Sequence, residues 1–235
     1  MNRTAQGLRR VAVALDTSDR EEFSRWCALF GPRVGLLKVG LEAFVRWGPP
    51  AVDEARASGA GVFLDLKLHD IPATVAGAVR AAAALGVSYL TVHAGGGDAM
   101  LRAATAVDGA PKLLAVTLLT HLDGRELALL GLPGSGVDRV AEWARLAAAA
   151  GCAGVVCSAL EVRRLRAENP PPFALVTPGI RSAAAPVNDQ KRTATAAEAL
   201  SAGADFLVVG RPLTRAADPG AALAALEREI AATPV

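Results

Sequence analysis

Eight short apolar runs recur along this chain of 235 residues, with helical stretches between most of them. They are Val11 to Leu15, Leu36 to Val39, Val62 to Leu66, Tyr89 to Val92, Leu113 to Leu118, Gly154 to Val156, Ala174 to Val176 and Phe206 to Val209. Each reads as a buried strand. Alanine-rich segments such as Val75 to Leu85 and Val137 to Ala150 carry apolar residues at helical spacing, and Gly86, Gly151 and Gly203 stand where helix C-caps belong. Eight strands alternating with helices in this length predict a single (β/α)8 TIM barrel over residues 1–235. An open doubly wound sheet is the alternative. The count of eight favours the barrel, as does the gathering of polar residues at the C-terminal ends of the runs. No linker divides the chain, and Pro170-Pro171-Pro172 reads as a spacer before the seventh strand.

Charge is concentrated at one place. Asp65, Lys67 and Asp70 follow the apolar run Gly61-Val62-Phe63-Leu64. Asp65 and Lys67 are two apart, so a regular strand points both to one face. Buried charge is costly unless paired, and three charges beside an apolar wall suggest chemistry. The plainer reading is a solvated ion pair, with Asp70 capping a helix that begins near Ile71-Pro72.

Barrel active sites lie at the C-terminal strand ends. Those positions hold Asp16, Lys38, Asp65 with Lys67, His93, Thr120, Ser158, Pro178-Gly179-Ile180-Arg181 and Gly210-Arg211. Asp16 could be a turn or helix cap, His93 a satisfied core histidine and Ser158 structural. Gly210 lets backbone N–H groups approach an anion, and Arg211 offers a planar fork for phosphate oxygens. The loop after the seventh strand adds Arg181 and Asn188-Asp189-Gln190-Lys191-Arg192, and loops seven and eight are the frequent phosphate site of barrels.

A net charge of +2, with scattered basic residues, implies no nucleic-acid or membrane partner. Of the 25 basic residues only four are lysine, Lys38, Lys67, Lys112 and Lys191. A chain that otherwise uses arginine keeps lysine for work arginine cannot do, such as giving up a proton; Lys112 reads as chance retention. Cys27, Cys152 and Cys157 lack CxxC spacing and cannot all pair, which suits a reducing compartment. No signal peptide or membrane span is evident, and a cytoplasmic location is the expectation.

Taken together, the motifs resemble the orotidine 5′-monophosphate decarboxylase family, in its type 1, bacterial-like form. The resemblance runs through Ala14-Leu15-Asp16, Leu37-Lys38-Val39-Gly40, the Asp65, Lys67, Asp70 array with Ile71-Pro72 and Thr74, and Val92-His93-Ala94. It continues through Val116-Thr117 with Leu119-Thr120, Thr177-Pro178-Gly179-Ile180-Arg181, Asp189-Gln190-Lys191-Arg192 and Val209-Gly210-Arg211-Pro212. One departure is Ser182, where relatives often carry proline. The resemblance implies cofactor-independent conversion of orotidine 5′-monophosphate to uridine 5′-monophosphate and carbon dioxide in pyrimidine synthesis. Lys38, Asp65, Lys67 and Asp70 would form the charged array, with Lys67 protonating C6. Asp16 and Lys38 would hold the ribose, Thr120 the base, and Gln190, Gly210 and Arg211 the phosphate, with Arg181 nearby. Asp70, Ile71 and Thr74 would enter the neighbouring subunit's site, implying a homodimer with shared active sites. His121 to Gly136, rich in glycine, reads as a mobile lid.

Two rivals stand against this reading. One is a metal-dependent barrel of the 3-hexulose-6-phosphate synthase or 3-keto-gulonate-6-phosphate decarboxylase kind, which resembles a pattern with glutamate where this chain has Lys38. The other is a non-catalytic nucleotide-binding barrel, which has no use for Lys67 between two acids.

Overall fold

The structure, a computed structural model, describes residues 7–132, 134–181 and 193–233. The strands are β1 (Val11–Ala14), β2 (Leu36–Gly40), β3 (Gly61–Leu68), β4 (Tyr89–His93), β5 (Lys112–Val116), β6 (Gly154–Val156), β7 (Ala174–Thr177) and β8 (Phe206–Val209). They pair in parallel and in sequence order, and β8 returns to β1 to close the barrel. The expected (β/α)8 barrel is therefore the observed fold.

The period-two alternation of each strand sorts its residues between two cores. Ala12, Ala14, Leu36, Phe63, Leu114, Val176 and Val208 fill the barrel interior. Val11, Val13, Leu37, Val39, Val62, Leu64, Leu90 and Val92 instead join the core shared with the helices. On β2, Lys38 has the parity of Leu36, and on β3, Asp65 has the parity of Phe63. Both charges therefore point inward just above the apolar filling.

The outer layer includes α1 (Arg20–Phe30), α2 (Leu41–Trp47), α3 (Pro49–Ala57), α4 (Pro72–Ala83), α5 (Gly97–Thr105), α6 (Gly124–Leu129), α7 (Gly136–Ala149), α8 (Ala159–Glu168), α9 (Ala196–Ala202), α10 (Arg211–Thr214) and α11 (Pro219–Ala232). The predicted helices at 75–85 and 137–150 start slightly earlier than expected, α4 at Pro72 and α7 at Gly136. Gly203 is a left-handed C-cap, while Gly86 and Gly151 lie just beyond the caps Ala84 and Ala150. Among the described residues no helix is long and apolar enough to cross a membrane.

Two strands end two residues away from expectation, and no other strand bound differs by more than one. β5 stops at Val116, and Thr117, buried, donates its hydroxyl to the carbonyl of Val156 at 2.8 Å. β3 runs past Leu66 to Leu68, because its register with β4 breaks: Leu64 faces Leu90 but Leu68 faces Val92. Four residues of β3 thus span two of β4. Lys67 lies within this bulge at φ 52, the only positive φ outside glycine among the described residues.

Candidate active site

The C-terminal mouth of the barrel opens into a cavity of about 740 Å³. Asp16, Lys38, Asp65, Lys67, Thr120, Arg181, Gly210 and Arg211 all line it. Its floor is apolar, including Phe63, Val156 and Val208.

Four of the charges form a chain. Lys38 Nζ lies 3.0 Å from Asp16 Oδ1 and 3.4 Å from Asp65 Oδ2. Lys67 Nζ donates to both Asp65 oxygens at 2.9 Å. The order is therefore Asp16, Lys38, Asp65, Lys67, with signs alternating. Lys38 and Asp65 are buried, at 7% and 8% exposure. Burial alone would lower the Lys38 pKa, but Asp65 and then Asp16 outweigh it and the net direction is up. For Asp65, burial alone would raise the pKa, but Lys38 and Lys67 outweigh it and the net direction is down. Lys38 and Asp65 thus hold each other in the ionised form.

Gly40 makes room for this packing. A Cβ there would come within 2.6 Å of Asp16 Oδ1 and 3.0 Å of Lys38 Nζ. The regular alternation expected to align Asp65 with Lys67 is not what brings them together. The bulge turns Lys67 back toward Asp65, and a positive φ at a side chain this long is held only by surrounding contacts.

After β8, Gly210 precedes the short helix α10, which begins at Arg211. Arg181 is anchored through its own N–H to the carbonyl of Ala194 at 2.9 Å. Gln190 and the rest of the expected Asn188-to-Arg192 group lie outside the described residues.

Asp70, Ile71 and Thr74 do not reach this cavity within the chain. All three are exposed, and Asp70 Oδ1 accepts from the N–H of Ile71 at 2.6 Å. Ile71, the N-cap of α4, provides no side-chain cap, so Asp70 is not the helix cap that the plainer reading allowed. Nor is Asp16 a cap, since Asp19 caps α1. Ser158 is structural, accepting from Leu160 N–H at the start of α8. His93 stands aside from the cavity lining. Its ring stacks on His69 at 5.1 Å and meets Trp143 edge-on, and burial, then His69 and Lys67, push its pKa down to about 4. The stretch expected to act as a lid holds α6, whose capping box pairs Asp123 with Glu126.

Sequence reading overlooked Thr91. It is fully buried on β4 and contacts both Asp65 and Lys67. Its only trace in the sequence is a hydroxyl within an apolar strand, at the inward parity of Tyr89.

The architecture and these motifs have close counterparts. The model of the orotidine 5′-phosphate decarboxylase / HUMPS family matches residues 9–226. An orotidine 5′-phosphate decarboxylase of Thermobifida fusca (strain YX) is 52% identical over 224 residues, covering 95% of this chain and 96% of that protein. One from Hahella chejuensis (strain KCTC 2396) is 48% identical over 225 residues, covering 94% and 97%. The crystal structure of orotidine 5′-phosphate decarboxylase from Lactobacillus acidophilus superposes with a TM-score of 0.82 at 37% identity, covering 94% of this chain and 99% of that one. With the family model spanning most of its length and relatives near half identity along almost all of it, the chain belongs to the orotidine 5′-phosphate decarboxylase / HUMPS family.

Proposed function

We propose that this chain is a carboxy-lyase that converts orotidine 5′-monophosphate to uridine 5′-monophosphate and carbon dioxide in pyrimidine biosynthesis, without a cofactor. One observation carries the assignment within the family: an ammonium, Lys67, held at 2.9 Å from a buried carboxylate and facing an apolar-floored cavity. In the reaction, the bond from C6 to its carboxylate carbon breaks. The electron pair stays on C6 and carbon dioxide leaves. Lys67 stabilises that pair electrostatically and transfers a proton to C6, becoming a neutral amine. A guanidinium could not make the transfer.

The other roles are those the family resemblance implies. Lys38, fixed between Asp16 and Asp65, holds the ribose hydroxyls together with Asp16. Thr120 meets the base. Gly210 and Arg211, with Gln190 and Arg181, take the phosphate, whose binding energy is used to orient the reacting end. Lys38 stands where the metal-dependent barrels of the rival reading have a glutamate, and an ammonium there repels a cation. The decisive assay follows the loss of orotidine 5′-monophosphate absorbance in excess chelator. Turnover that persists supports the assignment, and turnover that needs a divalent metal overturns it.

The same reading makes the enzyme a homodimer with shared sites. Leu41, Val45 and Ile71 are 51%, 81% and 66% exposed on neighbouring βα units, an apolar group suited to burial. Asp70, Ile71 and Thr74 are exposed and do not line their own cavity, and would complete the partner's. Mixing Asp70→Ala with Lys67→Ala protein tests this. Sharing predicts recovered activity, because one site of the mixed dimer is intact; no recovery after verified subunit exchange refutes it. Three buried free cysteines suit a cytoplasmic location.

A further inference from the structure

At the β3 bulge the sheet ladder is broken, so the Lys67 N–H loses the strand partner it would otherwise have. It donates instead to Thr91 Oγ1 at 2.8 Å. The same hydroxyl donates to Asp65 Oδ1 at 3.0 Å. A hydroxyl has one hydrogen and two lone pairs, so one atom here serves as acceptor for the backbone of the ammonium residue and donor to its carboxylate. Thr91 is β-branched and fully buried, which confines its χ1 and fixes that hydroxyl. The only non-glycine positive φ among the described residues is at Lys67, the residue that this hydroxyl holds.

We infer that Thr91 is a positioning residue for the decarboxylation, a clamp that sets the aim of Lys67 by tying its backbone to Asp65. This rests on the proposed function for its kinetic consequence, but not for its geometry. The phosphate-side residues Arg181 and Arg211 are on other loops, so losing the clamp should disturb the reacting end and spare substrate capture.

The test compares Thr91→Val, nearly isosteric but without the hydroxyl, with Thr91→Ser, which restores it. For Thr91→Val, kcat should fall about 10- to 100-fold, the size of a lost buried hydrogen bond to a charged group, while KM moves less than about threefold. Thr91→Ser should recover most of kcat. Amide hydrogen exchange gives a readout independent of turnover: the Lys67 amide should lose protection in Thr91→Val and keep it in Thr91→Ser. In the unmodified protein the Thr91 hydroxyl proton should exchange slowly and show an NMR contact to the Lys67 amide, a measurement that requires no variant to fold. Equal kcat in the valine and serine variants, an equally protected Lys67 amide, or a freely exchanging Thr91 hydroxyl would each overturn the clamp. An inactive wild-type enzyme would instead refute the proposed function, leaving the exchange data to judge the clamp.

Discussion

The two ends of the barrel use charge differently. At the N-terminal end, Arg166 donates to the carbonyls of Gly203, Asn169 and Phe173 at 3.0–3.1 Å and pairs with Asp205. Arg10 donates to the carbonyls of Asp205 and Ala204, and Asp205 accepts the N–H of Leu175. Nearly every bond there reaches backbone, so the charges staple loops together. At the C-terminal end, Lys38, Asp65 and Lys67 bond chiefly to one another and face a cavity. Residue type follows the task. Arginine's rigid fork suits a cluster of carbonyls, and lysine's compact ammonium can release a proton. A charge network satisfied by its own backbone stabilises; one satisfied mainly by its members, beside an open cavity, is available to a substrate.

The sharpest way to break this contrast is to exchange activity for stability at each end. Lys67→Ala should lower kcat/KM by about ten-thousandfold or more, since it removes the proton donor and the charge facing the carbanion. Its thermal midpoint should hardly move, because Asp65 retains Lys38. Arg166→Met should do the reverse. It strands three carbonyls and Asp205, at a cost of about 3 kcal/mol in urea unfolding, yet the folded fraction should keep kcat/KM within about twofold because the site is at the far end of the barrel. A stability loss in the first variant, or a catalytic loss in the second, would erase the distinction.

Arg211→Ala should produce a smaller effect. Loss of a charge-assisted contact to phosphate predicts KM rising by about 10- to 100-fold, with a lesser fall in kcat. The effect should vanish with the nucleoside orotidine, which has no phosphate. A penalty that persists on the nucleoside would place Arg211 at the reacting end instead.

What could be read from sequence follows the same division. The strands were legible because buried parallel strands are short apolar runs, and inward parity carried Lys38 and Asp65 to the mouth along with Leu36 and Phe63. The contact of Lys67 with Asp65 was legible for an incomplete reason. Alternation suggested it, but a bulge makes it, and a bulge depends on β4's register, not on β3's residues. Thr91 was hidden because a hydroxyl with both partners inside the fold leaves no anomaly in an apolar run. Helix α6 was legible but overlooked. Asp123-Gly124-Arg125-Glu126 is a capping-box pattern and marks a helix start inside the stretch whose glycines suit a lid. Asp70, Ile71 and Thr74 lie outside what a single chain's geometry explains, since their proposed function needs a second copy.

The mildest contrast is in acid. An arginine side chain keeps its charge at any ordinary pH, whereas His93, near the mouth, has its pKa depressed to about 4 from the usual 6.5 by burial, then by His69 and Lys67. A histidine with a lower pKa folded than unfolded binds fewer protons in the native state. Between pH 6.5 and about 4 the unfolded chain therefore gains protons that the folded one refuses, and stability falls as pH drops through that window. Because the ring is only partly buried, solvent screening reduces the loss to about 1 kcal/mol. Asp65 acts in a lower window: its depressed pKa adds stability that is present above the ordinary 3.8 and disappears only in stronger acid. Urea unfolding of His93→Phe from pH 7 down to about 2 separates the two. The variant should lose the decline above pH 4 and keep the steeper loss below it. An unchanged slope in the upper window would mean that another group, not the stacked histidine, makes the mouth of the barrel sensitive to mild acid.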